Sequence, residues 1–164
     1  MNNPPNKPST SQFAAWMAVA RWIVAALFIW MGINKAIEPV DFLKLLRQYD
    51  LAHTPWMLNL VAATLPWFEI FCGVLLGLGI AVRGVALVVV AMLGPFTWLV
   101  LQRALALQAA SGSPFCSIRF DCGCGAGEVW ICAKLLENLL LIAVCALLVT
   151  VREGRFCLRF NLFN

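Results

Sequence analysis

Charge is scarce in this chain. Only 12% of its 164 residues are Asp, Glu, Lys or Arg, against 62% hydrophobic, whereas a soluble domain is about a quarter charged and close to half apolar. That deficit excludes an ordinary soluble domain and points to an integral membrane protein. The polar–apolar alternation of a membrane-spanning β-strand is also missing. The apolar runs are instead continuous for about twenty residues, the length of a spanning helix, and a spanning segment must satisfy its backbone polar groups internally. Helices therefore remain. The first residues, Met1 to Gln12, lack the basic start and small-residue cleavage site of a signal peptide, and residues 1–12 read as a short disordered tail. The net charge of +4 is small and the basic residues are scattered, which leaves no case for nucleic acid. Histidine occurs once, at His53, and reads as incidental.

What the chain does have is four apolar segments, expected as an all-α four-helix bundle in the lipid bilayer over residues 13–151. The first covers residues 13–37. Arg21 near its start is placed to snorkel to the interface, and Trp16, Trp22 and Trp30 read as interfacial anchors and packing residues. Residues 38–50 follow, with Pro39 suited to a first helical turn. There Phe42, Leu43, Leu46 and Tyr49 recur at helical spacing between Asp41, Lys44, Arg47 and Asp50. This is a short amphipathic helix, between spans one and two in the chain, expected to lie in the membrane interface.

The second span, residues 55–78, contains Pro66, which predicts a kink, and Glu69 near its middle. A carboxylate at membrane depth is costly and faces the bundle or a cavity, and Lys35 and Lys134 are its candidate partners. Gly73, Gly77 and Gly79 permit close helix approach. The third span, residues 85–107, carries Pro95 and a second predicted kink. The fourth, residues 129–151, holds Lys134, Glu137 and Asn138 within about one turn, a polar stripe expected to face the interior. The tail, residues 152–164, is basic and amphipathic, with Arg152, Arg155 and Arg159 suited to anionic lipid. Four spans put both termini on one side and the loop of residues 108–128 on the other. Basic residues number six on each side, so charge does not orient the chain.

Three of the seven cysteines fall in the run Phe115-Cys116-Ser117-Ile118-Arg119-Phe120-Asp121-Cys122-Gly123-Cys124-Gly125. A Cys-x-Cys pair closes only a small, strained disulfide, and strained, accessible disulfides are the labile ones. Gly123 and Gly125 supply the backbone freedom such a ring needs. Cys116 is placed to act as a resolving thiol, and Cys132, about one turn into span four, lies within reach of the loop. Cys72 and Cys145 read as inert packing residues. A redox pair, a static disulfide and a metal site all remain open at this point. The metal reading is weakened by the single close cysteine pair and the lack of a nearby histidine.

Four features carry a resemblance: Gly32-Ile33-Asn34-Lys35 closing span one, Glu69 followed by Gly73 and Gly79, Phe120-Asp121-Cys122-Gly123-Cys124-Gly125 before span four, and Glu137-Asn138-Leu139 within it. On these the chain resembles the DoxX-like membrane proteins, and more closely their MauE-type branch, the redox-associated proteins of methylamine utilisation. The resemblance implies a bundle similar in outline to vitamin K epoxide reductase and DsbB-type proteins. It also implies thiol–disulfide chemistry at the outer face of a bacterial inner membrane. Because disulfides persist in the periplasm, the loop is expected there and both termini in the cytoplasm. Under this reading Cys122 and Cys124 exchange with a periplasmic thiol protein and Cys116 or Cys132 passes electrons on. A quinone near Glu69 and Lys134 accepts them. The reading from another class is a non-catalytic subunit of a larger respiratory or photosynthetic membrane complex, with the loop cysteines as a structural disulfide.

Overall fold

Buried positions along the first apolar segment fall at Met17, Arg21, Val24, Phe28, Met31 and Lys35, alternating steps of four and three. That spacing keeps one stripe of a helix against its neighbours. The last segment repeats the pattern with Ile131, Lys134, Asn138, Leu141, Cys145 and Leu148. The computed structural model describes residues 10–48, 55–121 and 127–150. In chain order these form α1 (Thr10–Ile37), α2 (Pro39–Gln48), α3 (Pro55–Leu78), α4 (Val82–Ser111), a 3-10 turn (Phe115–Ser117), strands β1 (Arg119–Asp121) and β2 (Glu128–Trp130), and α5 (Ile131–Thr150). Helices α1, α3, α4 and α5 are each long and apolar enough to cross a membrane. Tyr49, Asp50, His53, Cys122, Cys124, Cys157 and the basic tail lie outside the described residues.

The helix ends follow from local chemistry. The Glu38 N–H donates to the Asn34 carbonyl and the Phe42 N–H to that of Glu38. The hydrogen-bond ladder thus runs nearly unbroken from α1 into α2, with Pro39 opening the new helix. Phe42 and Leu46 on α2 are buried against Ala62 of α3, so the amphipathic helix has its apolar edge occupied by protein. At the end of α3, Gly79 takes φ 74°. Its N–H reaches Leu76 and that of Ile80 reaches Leu75, a Schellman closure that requires the left-handed conformation glycine tolerates. Pro66 and Pro95 both sit inside unbroken helices.

Helices α1 and α3 make the closest contact. A β-carbon added to Gly32 would lie 2.7 Å from the Pro66 carbonyl oxygen, and one added to Gly73 would lie 2.9 Å from that of Ala25. Each glycine is a notch for an isoleucine of the other helix, Ile70 for Gly32 and Ile29 for Gly73. Small residues at such contacts let backbones meet where lipid provides no hydrophobic drive. The outer surface is the inverse of the core: all seven tryptophans expose 44% or more of their area. Trp30, Trp67 and Trp98 do so well inside their helices, beyond the ends where interfacial anchors sit.

Two expectations are corrected. Arg21 does not snorkel: it is 2% exposed because it lies on the buried stripe with Met17, Val24 and Phe28. Glu137 does not face the interior; it is exposed while Lys134 and Asn138 are buried. Adjacent residues on a helix are about 100° apart, so Asn138 inside places Glu137 outside. The helices also run longer than expected at α4, and the connection to α5 contains the β1–β2 hairpin. Gly73→Leu is expected to destabilise the protein by about 1–3 kcal/mol through overpacking. Gly94→Ala, where an added β-carbon meets nothing within 4 Å, should be neutral or stabilising. Thermal unfolding in detergent checks both.

Candidate functional site

The buried polar groups converge. Lys35 from α1 and Glu69 from α3 form an ion pair, Nζ to Oε1 2.6 Å and to Oε2 2.8 Å, with side chains 6% and 9% exposed. The Lys35 ammonium also stands 5.4 Å from the ring centroid of Phe42 and 6.0 Å from that of Phe96, within cation–π range. Of the two lysines considered for Glu69, Lys35 makes the contact. Lys134 pairs instead with Glu137 at 3.1 Å.

All of these except Glu137 border one cavity of about 220 Å³, together with Asn138 and apolar residues including Phe28, Met31, Leu93 and Phe96. It lies where the close α1–α3 pair meets the α4–α5 pair. Asn138 is 1% exposed, and its Nδ2 is buried with no hydrogen-bond partner among the described residues. A buried donor left unpaired costs about 1–3 kcal/mol. Sequence reasoning placed Asn138 on the polar stripe without giving it a role. The available signal was its four-residue step from Lys134 on the inward face.

A cap covers the start of α5. Gly112 ends α4 with φ 64° and donates to the Gln108 carbonyl. The chain then makes the 3-10 turn holding Cys116, and β1 pairs antiparallel with β2: Arg119 with Trp130, Phe120 with Val129, Asp121 with Glu128. Phe120 points into the core at 7% exposure, while on the outer face the Arg119 guanidinium lies 4.1 Å from the Trp130 ring centroid. The Ile131 N–H donates to the Ile118 carbonyl and seats the hairpin on α5.

Cys116 and Cys132 are joined in a disulfide, their Cα atoms 5.1 Å apart and 16 residues apart in sequence. A loop of that length contributes roughly 3 kcal/mol by constraining the unfolded chain. Cys116 is exposed and Cys132 half-buried, so the bond is reachable from outside the bundle. Cys72 and Cys145 are buried free thiols, as expected of packing residues. Thus Cys116 and Cys132 are brought together, and Lys134 stands on α5 just beyond Cys132, over the cavity that holds Glu69.

The family model of methylamine utilisation protein MauE matches residues 13–151, from the first spanning helix through the last. The chain belongs to the MauE family. No curated protein and no solved structure gives a match. In this MauE-family protein the matched region takes in both the Cys116–Cys132 disulfide and the buried Lys35–Glu69 pair.

Breaking the ion pair from one side strands a buried charge. Lys35→Leu is expected to destabilise the protein by about 3–5 kcal/mol, and Lys35→Leu/Glu69→Leu by far less, because the pair is removed together. A double-mutant cycle on thermal or denaturant unfolding in detergent measures the difference.

Proposed function

We propose that this MauE-family protein is a thiol–disulfide redox protein of the bacterial inner membrane. The observation that supports it best is the reachable Cys116–Cys132 disulfide on a helical bundle with a largely apolar cavity that also holds Lys35, Glu69, Lys134 and Asn138. In this reading the cysteine loop faces the periplasm, where disulfides persist, and both termini face the cytoplasm.

A thiolate of a substrate dithiol attacks one sulfur of a Cys122–Cys124 disulfide, and the second substrate thiol resolves the mixed disulfide. The substrate leaves oxidised, and Cys122 and Cys124 are left as thiols. They reduce Cys116–Cys132 by the same exchange. Attack falls on the exposed Cys116, and the Cys132 sulfur departs in the first turn of α5, where the helix N-terminus favours negative charge. Cys122 and Cys124 are thereby reoxidised. The two electrons and two protons on Cys116 and Cys132 go to a quinone, a lipid-soluble two-electron acceptor. Glu69 and Lys134 belong to the cavity assigned to it.

The outward tryptophans Trp30, Trp67 and Trp98 favour a second reading, a non-catalytic subunit of a larger membrane complex with Cys116–Cys132 as a staple. Thiol trapping in intact cells separates the two. The relay predicts that Cys116–Cys132 changes redox state when quinone reoxidation is blocked. It also predicts that Cys122→Ser/Cys124→Ser abolishes substrate oxidation. Unchanged oxidation in that double variant rules the relay out, and cysteines that never change state beside a stoichiometric partner favour the subunit.

A further inference from the structure

We infer that the cavity between the two helix pairs binds the carbonyl oxygen of a quinone-type ring, with Asn138 Nδ2 and Lys134 Nζ as its donors. This rests on the redox reading above and assigns the residues that hold its acceptor.

The Glu69 carboxylate already takes two hydrogen bonds from Lys35, and the Lys35 ammonium is further enclosed by Phe42 and Phe96. That pair is satisfied. Lys134 gives one of its three N–H donors to Glu137, and the Asn138 amide, 1% exposed, gives none among the described residues. Among the described residues the cavity therefore has donors to spare. Lys35 pairs with Glu69 inside the cavity and Lys134 with the exposed Glu137 outside it. A neutral acceptor leaves both pairs intact. Apolar and aromatic walls, Phe28, Met31, Leu93 and Phe96, suit a flat ring. The volume of about 220 Å³ is below the roughly 300–1,000 Å³ of pockets that enclose a drug-sized ligand. It has room for a head group and none for a long tail.

The test is binding of 2-methyl-1,4-naphthoquinone to the purified full-length protein in quinone-free nanodiscs, measured by calorimetry alongside thermal unfolding. Asn138→Leu removes the amide at similar size. It is expected to weaken binding about tenfold or more while leaving the unfolding midpoint unchanged or raised, because an unpaired buried donor has been deleted. Lys134→Met should weaken binding as well, and decides the matter if Asn138→Leu fails to fold. Decanoate, which offers an anionic acceptor on an apolar body, should not displace the naphthoquinone. Unchanged quinone affinity in Asn138→Leu, or displacement by decanoate at equal concentration, overturns the assignment. Disulfide cycling in cells without naphthoquinone binding sinks this site alone. Binding without cycling upholds the site and sinks the relay.

Discussion

The arrangement depends on one buried contact, the Lys35–Glu69 ion pair. In a bilayer, leucine against leucine and leucine against lipid differ little, so apolar burial does not say which face of a helix turns inward. A charge does, because exposing it to hydrocarbon costs several kcal/mol. With Nζ 2.6 Å and 2.8 Å from the two carboxylate oxygens, the pair sets both the rotation of α1 and α3 and their register. Gly32 and Gly73 then let the two backbones close to the distance the pair needs. Lys134 and Asn138 do the same for α5, whose inward stripe they interrupt.

The cap obeys a different physics. Outside the helices, water competes for every hydrogen bond, and two three-residue strands do not stand alone. Three ties hold them: Phe120 buried in the core, the Ile118 carbonyl accepting from the first residue of α5, and the Cys116–Cys132 disulfide. The third is chemically reversible. The element that fixes the cap is therefore also the one that an approaching thiol can open, and it borders the helix that carries Lys134 and Asn138. Structure and proposed chemistry share the same atoms.

Much of the bundle was legible residue by residue. Continuous apolar runs located the four spans, and Pro39 and the period of Phe42 and Leu46 located α2. Arg21 was misread because a basic residue near a helix start looks the same whether it snorkels or is buried. Its four-residue step from Met17 and three-residue step to Val24 carried the answer. Glu137 and Asn138 were read as one stripe although neighbours on a helix point about 100° apart. The hairpin escaped because three residues are too few to show an alternation, and the left-handed Gly112 and Gly127 resemble any loop glycine.

By itself, the sequence determined that this is a helical membrane protein with four spans and a cysteine-bearing connection, because hydrophobic run length and backbone self-satisfaction in lipid leave no other solution. It also marked Glu69 and Lys134 as charges that had to be hidden. Only the tertiary structure decided that Glu69 meets Lys35 rather than Lys134, that Cys116 joins Cys132, and that the Asn138 Nδ2, without a partner among the described residues, borders the same cavity. Those are pairings between segments far apart in the chain. Spacing along one helix fixes which face a side chain occupies, but only the packing of helices fixes what it faces.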